Sequence, residues 1–224
     1  MNPAIYRLPY DPIGDLDPVA MIATNPNRIV ARKTLLANNL TELIAWLKAH
    51  PGQAAQGAGG IGTPAHVNGE LFRQMIGTKF QFVPYRGAAP AMQDLVAGQI
   101  DMMFDQFANS LPQVRAGAIK AFAVTAQERS SLAPDVDEAG LPGLYVDVWH
   151  GMWVPKGTPK EIIGKLNGAI VEAPADPKVR QRFVRAGDPA ARPADPGGPR
   201  RVSKGEAEKW WPVVKAANIN IKAE

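Results

Sequence analysis

Between residues 18 and 126, short unbroken apolar runs alternate with stretches whose apolar residues recur every three or four positions. The unbroken runs PVAMIA (18–23), RIVA (28–31), the Phe80, Phe82 and Val83 set, IDMMF (100–104) and IKAFAVTA (119–126) predict strands. IDMMF is apolar on both faces, as a central parallel strand requires. The periodic stretches predict helices with legible ends. Asn39, with Glu42 at the capping-box position, opens one bearing Leu40, Leu43, Ile44 and Leu47, and Pro51-Gly52 stops it. Thr63-Pro64 opens a second, which ends at Gly77. Pro90 starts a third, with Met92, Leu95 and Val96 facing inward and Gly98 as terminator. Such strand–helix–strand alternation implies a parallel-rich sheet with right-handed crossovers, hence an α/β fold.

Beyond residue 126 the pattern changes. Pro134, Gly140, Pro142 and Gly143 punctuate a loop ahead of the strand-like YVDVWHGMWVP (145–155). Thr158-Pro159 with Glu161 opens a helix bearing Ile162, Ile163, Leu166 and Ile170, and Asp176-Pro177 opens another with Val179, Phe183 and Val184. Residues 188–200 are too rich in proline and glycine for regular structure and read as a connector. Ser203 with Glu206 opens a last helix whose Trp210 and Trp211 read as core. The change predicts a lobe over 24–125, with 1–23 and 126–224 forming the remainder.

Composition narrows the function classes. At 224 residues the chain can bury one large core or two small ones. Its 46% apolar and 21% charged residues are ordinary for a soluble globular protein. The net charge of +4 is spread out, without the basic density of a nucleic-acid surface. Without cysteine there is neither disulfide nor thiol chemistry. No apolar run is long enough for a membrane helix. MNPAIYRLPYDPIGDLDP lacks the basic and apolar regions of an export signal, so the chain as written is expected in the cytosol.

Gly57, Gly59 and Gly62 form a G-x-G-x-x-G ahead of a helix, the shape of a dinucleotide fingerprint. QAAQ before it carries no β-branched residue, and Pro84-Tyr85-Arg86 stands where a ribose-binding acid is expected. What remains is a loop of exposed backbone N–H groups backed by the positive end of a helix, which favours a carboxylate or phosphate. Thr63 is either a plain helix cap or a hydroxyl donor to that anion, and His66 either a surface histidine or a side chain aimed at the same place. Ligands of open parallel sheets sit beyond the carboxyl ends of the strands. There the chain places Gly59, Gly60 and Gly62 after one strand, Tyr85 and Arg86 after another, and Asp105 after a third. Arg86 reads equally as a solvated loop charge, and mid-strand Asp101 as structural. His50, His66 and His150 lack metal-ligand spacing, the serines lack a nucleophile elbow, and no carboxylate pair stands out. These readings predict no enzyme, metal or cofactor; the alternative is an NADP-dependent oxidoreductase built on the Gly57–Gly62 loop.

YDPIGDLDPVAMIA, GAGGIGTPAH, FVPYRGAAPAMQDLVAGQIDMMFD, EAGLPG, WHGMWVPKGTP and EKWWPVVKAANI, in that order, resemble the Bug/TctC family over nearly the whole chain. These are periplasmic substrate-binding proteins of tripartite tricarboxylate transporters. The resemblance implies a type II periplasmic-binding-protein-like α/β fold of two lobes. Between them lies a small organic, amino or aromatic acid, and the transporter's membrane permease subunits are the partners. It implies a non-catalytic, periplasmic monomer, with Gly59 to His66, Tyr85, Arg86 and Asp105 facing the ligand. Family members also carry an export signal and a first-lobe glycine loop ending in aspartate. Their absence here makes the chain resemble an N-terminally truncated copy, with an incomplete first lobe, exposed sheet edges and weak or no ligand binding.

Overall fold

A computed structural model of the chain describes residue 5, residues 7–126, residue 141, residues 143–185 and residues 198–219. Pro134, Gly140 and Pro142 of the expected loop, and 188–197 of the expected connector, lie outside the described residues. The chain divides into two compact units, 26–147 and 1–25 with 148–224.

PVAMIA and RIVA are one strand, β1 (Leu16–Arg32), rather than two. Both segments stay extended, and Asn25-Pro26 falls where the chain passes from one unit to the other. A proline that cannot donate to a ladder is best tolerated at such a junction. The rest of the 26–147 unit follows in order: α1 (Leu40–Ala49), β2 (Ala55–Ala58), α2 (Pro64–Ile76), β3 (Gln81–Pro84), α3 (Ala88–Ala97), β4 (Met102–Gln106), α4 (Phe107–Arg115) and β5 (Ile119–Val124). The sheet order is β3-β2-β4-β1-β5. β2 is parallel to both β3 and β4, as expected, but β1 runs antiparallel to β4 and β5. The sheet is therefore mixed. Its antiparallel member is the strand by which the chain enters the unit, and Ile29, Val30 and Ala31 there are fully buried. Burial on both faces explains why RIVA does not alternate.

The helix ends follow the local chemistry. Asn39 accepts from the Glu42 backbone N–H, and Glu42 reaches back to Asn38 and Asn39. Gly77 and Gly98 close α2 and α3 in the left-handed conformation that glycine adopts without strain. α3 starts at Ala88, before Pro90, and its Val96 is exposed rather than inward. Met92, Leu95, Ile100, Met103 and Val30 form the core on that side of the sheet. On the other side Phe72 meets Phe104 edge-on at 5.7 Å.

One carboxylate holds three strands in register. Asp101 accepts from Arg32 Nε and from the Ala55 backbone N–H, each at 2.8 Å. Asp101→Ala is expected to cost about 2–3 kcal/mol, since both bonds to a charged acceptor are lost and the site is only partly exposed. Urea unfolding checks it; a loss under about 0.5 kcal/mol would show that neighbours or solvent replace the carboxylate.

The change of unit comes at Asp147 rather than at the change of composition near 126. Val146 donates its N–H to Thr125 O, and Thr125 Oγ1 bonds both Val146 O and Asn27, so the segment past the loop returns to the sheet.

In the other unit β6 (Asp147–Pro155) pairs with β1, followed by α5 (Lys160–Glu172), a 3-10 turn, α6 (Pro177–Arg185) and α7 (Gly198–Ala216). Asn167 Nδ2 ties α5 to Val19 O at 2.7 Å. The expected apolar face of α5 is only partly covered, and Ile162 is exposed. α7 begins at Gly198, ahead of Ser203, and it buries Trp210 while leaving Trp211 exposed.

Candidate functional site

The parallel pairings place the ends of three strands along one edge. Ala58 lies beside Pro84, and Gly57 beside Met103. The Tyr85 N–H continues the ladder to Ala58 O at 2.8 Å. Carried two residues onward, the same register sets Gly59 level with Asp105. The glycine loop 59–62, the Tyr85–Gly87 turn and the end of β4 are thus neighbours.

The glycine loop touches the turn directly. A Cβ on Gly59 would lie 3.0 Å from Gly87 C and 3.0 Å from Ala88 N. Gly60 and Gly62 take positive φ values of 127° and 73°, which side chains other than glycine rarely adopt. Gly57 is needed for a different reason: a Cβ there would overlap Ile100 Cδ1 and crowd the Tyr85 ring. Two of the three glycines of the G-x-G-x-x-G are therefore accounted for by packing alone.

Thr63 precedes α2 with extended backbone, but its side chain makes no capping bond. Its hydroxyl instead donates to Gly60 O at 2.8 Å, closing the loop. Thr63 thus sits at the N-cap position as expected, with its hydroxyl hydrogen given to the loop's own carbonyl rather than its oxygen to the helix. His66 is buried, not on the surface. Its ring stacks on Phe82 at 3.6 Å, and Nδ1 accepts the Gly62 N–H at 3.0 Å. It shapes the loop from beneath.

Burial, assisted by Arg73, lowers the His66 pKa to about 4. The folded ring stays neutral, with Nδ1 free to accept. Asp105 moves the other way. Burial pushes it up to about 6, against Asn109, the Gln106 backbone and Arg28. The signs oppose. Between pH 6.5 and 4 the unfolded chain binds a proton at His66 that the folded chain refuses, so acid destabilises. Between pH 6 and 3.8 the folded chain holds a proton at Asp105 more tightly, so acid stabilises. Asp105→Asn removes the second effect and is expected to steepen the loss of stability from pH 6 to pH 4 by about 2 kcal/mol. Urea unfolding at a series of pH values measures this; equal slopes in both proteins would refute the opposition.

Tyr85 turns its ring to the core, and its hydroxyl donates to Asp94 Oδ2 at 2.7 Å. Burial first, then that bond, raises its pKa to about 12. Arg86, beside it, is exposed. Asp105 is 5% exposed, accepts from Asn109 Nδ2 at 2.9 Å and lies opposite Arg28 in the ladder. Arg28 is itself 1% exposed, with its guanidinium 4.1 Å above the Phe107 ring. Arg28, Asn27 and Asn68 are buried polar residues next to the strand ends that the sequence reading missed. A polar pair preceding an apolar run (Asn27-Arg28) and an asparagine four residues before Phe72 on an apolar helix face were the available signals. Among the described residues, no three His, Cys, Asp or Glu side chains group as metal ligands.

Comparison with known proteins places this arrangement. The family model for the tripartite tricarboxylate transporter family receptor matches residues 1–219. A UPF0065 protein of Agrobacterium vitis, from the TAR-I ttuE-ttuC' intergenic region, is 37% identical over 220 residues. That match takes in 96% of this chain but 64% of the relative, so the chain spans a little under two thirds of that protein's length. The periplasmic binding protein BugD superposes with a TM-score of 0.88 at 33% identity, covering 98% of this chain and 75% of BugD. MatC from Rhodopseudomonas palustris, solved with bound malate, gives 0.86 at 34% identity over 94% of this chain and 74% of its own. The fold is the α/β fold of periplasmic binding proteins, and the chain belongs to the tripartite tricarboxylate transporter receptor family.

Proposed function

We propose that this chain is the solute-binding component of a tripartite tricarboxylate-type transporter. It holds a small carboxylate without chemical change and works outside the cytoplasm with membrane permease subunits. One observation carries the reading: the contact between the Gly59–Gly62 loop and the Tyr85–Gly87 turn at the carboxyl edge of three parallel strands. Behind that contact begins α2, whose first-turn N–H groups and dipole favour a negative ligand. Arg86 supplies an exposed positive charge at the same edge. Gly59 and Gly60 contribute backbone, Gly62 through its N–H to His66 Nδ1 holds the loop in shape with His66 and Thr63, and Asp105 with Arg28 braces the floor. The malate in MatC and the adipate in a second Rhodopseudomonas relative are ligands of the same chemical class.

Titration calorimetry and thermal melts with succinate, malate, adipate, citrate and glutamate test the proposal. At least one is expected to bind with a Kd below roughly 100 μM. Raising that ligand to about a hundred times its Kd adds about 2.7 kcal/mol of stability, a Tm rise of several degrees. Replacing Gly60 by alanine is expected to weaken the response at least about tenfold, through strain at φ 127°. No binding by any of these acids would overturn the carboxylate reading.

A further inference from the structure

The sheet face toward α2 carries polar groups that the site described so far does not use. Asn27 is 2% exposed and Asn68 1% exposed. Asn27 Nδ2 and both side-chain polar atoms of Asn68 have no hydrogen-bond partner among the described residues. Nearby buried groups are treated differently: Gln56 Nε2 donates to Ala65 O and Ser110 Oγ to Gln106 O. Buried amides without partners are rare in folded proteins because desolvation is left uncompensated.

Strand register and helix rise together put the two asparagines on one face of the sheet and at one level. Ile29 pairs with Phe104 and Asn27 with Gln106, so Asn27 and Ile29 share a face with Phe104 and Gln106. Phe104 meets Phe72 of α2. Asn68 lies one turn before Phe72, and α2 runs back against β2 and β4. One helical turn, about 5.4 Å, therefore brings Asn68 to the level of Gln106 and Asn27, about two strand residues beyond Phe104. Extending the Gly57 and Met103 pairing brings Gly60 to the same level. Arg28 and Asp105, one residue along each strand, point to the opposite face. What Asn27 and Asn68 present beside the glycine loop is one donor, plus a second donor with an acceptor, and no charge.

We propose that Asn27 and Asn68 form a specificity subsite that reads a hydroxyl group on the bound carboxylate. The proposal rests on the carboxylate-binding reading above and adds the class of acid, a hydroxycarboxylate. A hydroxyl accepts from one amide while donating to the other; a second carboxylate cannot donate, and a methylene leaves all three atoms unpaired.

Calorimetry with two pairs of acids differing by one hydroxyl, malate against succinate and citrate against tricarballylate, tests the subsite. The unaltered chain is expected to prefer the hydroxylated member of at least one pair by roughly tenfold or more. Asn68→Leu, close in volume, is expected to bring that ratio within about twofold while the deoxy acid still binds. Asn68→Ser, which retains a donor and acceptor, is expected to keep a preference and covers the case in which the leucine variant does not fold. Equal binding of both members by the unaltered chain, or an unchanged ratio in the folded leucine variant, overturns the subsite but leaves the carboxylate reading standing. No binding of any of the four acids overturns the subsite, and the carboxylate reading falls with it only if adipate and glutamate also fail to bind.

Discussion

Asp105→Ala is expected to destabilise the chain by about 3–5 kcal/mol, the largest effect of any single substitution considered, because it strands the Arg28 charge inside the sheet. Arg28 is 1% exposed and its Nε and Nη1 lack hydrogen-bond partners among the described residues. Burial first, with Arg115 adding to it, pulls its pKa down to about 10 against the opposing charge of Asp105. At pH 7 the guanidinium cannot relieve the loss by shedding its proton. The reverse change, Arg28→Met, is expected to cost less, and less still below pH 6, because a carboxyl already pushed to about 6 can take up a proton. Combining Arg28→Met with Asp105→Asn is expected to recover most of the stability, because both buried charges facing each other in the ladder are then gone. Urea unfolding of the parent, both single variants and the double variant forms a cycle. A loss under about 1 kcal/mol in Asp105→Ala would mean that Phe107 and the surrounding dipoles suffice to hold Arg28.

Gly59→Ala should rank next, with about 1–3 kcal/mol lost through overpacking and carboxylate affinity reduced beyond measurement. The added methyl would meet Gly87 C and Ala88 N at 3.0 Å and Gly87 Cα at 3.2 Å. All three are backbone atoms, so no rotamer change relieves the crowding and the backbone itself must give by a few tenths of an ångström. The glycine loop and the Tyr85 turn must separate, carrying with them the N–H groups proposed to face the ligand. Gly164→Ala in α5 is the control: its Cβ meets nothing within 4 Å, and a helical alanine is expected to be neutral or slightly stabilising. Thermal melts and calorimetry separate the outcomes. Normal carboxylate binding by a folded Gly59→Ala chain would show that contact between the two loops is not needed.

Local chemistry accounts for what the chain reveals before it folds. The capping of α1 by Asn39 and Glu42 and the glycine stops of α2 and α3 involve residues within a few positions of each other, so the sequence carries them directly. That the three loops share the carboxyl edge follows as well, because parallel strands joined by helices allow few arrangements, whereas their order, β3-β2-β4, does not. The family resemblance adds the fold, matched by BugD at a TM-score of 0.88.

Side-chain direction is another matter. His66, Thr63 and Tyr85 stand where a ligand was expected to be met, yet each turns to a partner inside the protein: Gly62 N–H, Gly60 O and Asp94. Partners only three to nine residues away are already invisible when the bond depends on how a loop folds back. The opposition of Arg28 and Asp105, and the level shared by Asn27 and Asn68, need β1 to enter antiparallel beside β4. A shift of one residue in that pairing would move Arg28 and Asn27 to the other face. Element type and order therefore belong to the sequence, being set by short-range propensity and periodicity. Which polar groups are buried, and whom they face, was decided by strand register across 77 residues of separation between Arg28 and Asp105, a long-range packing choice that no local pattern records.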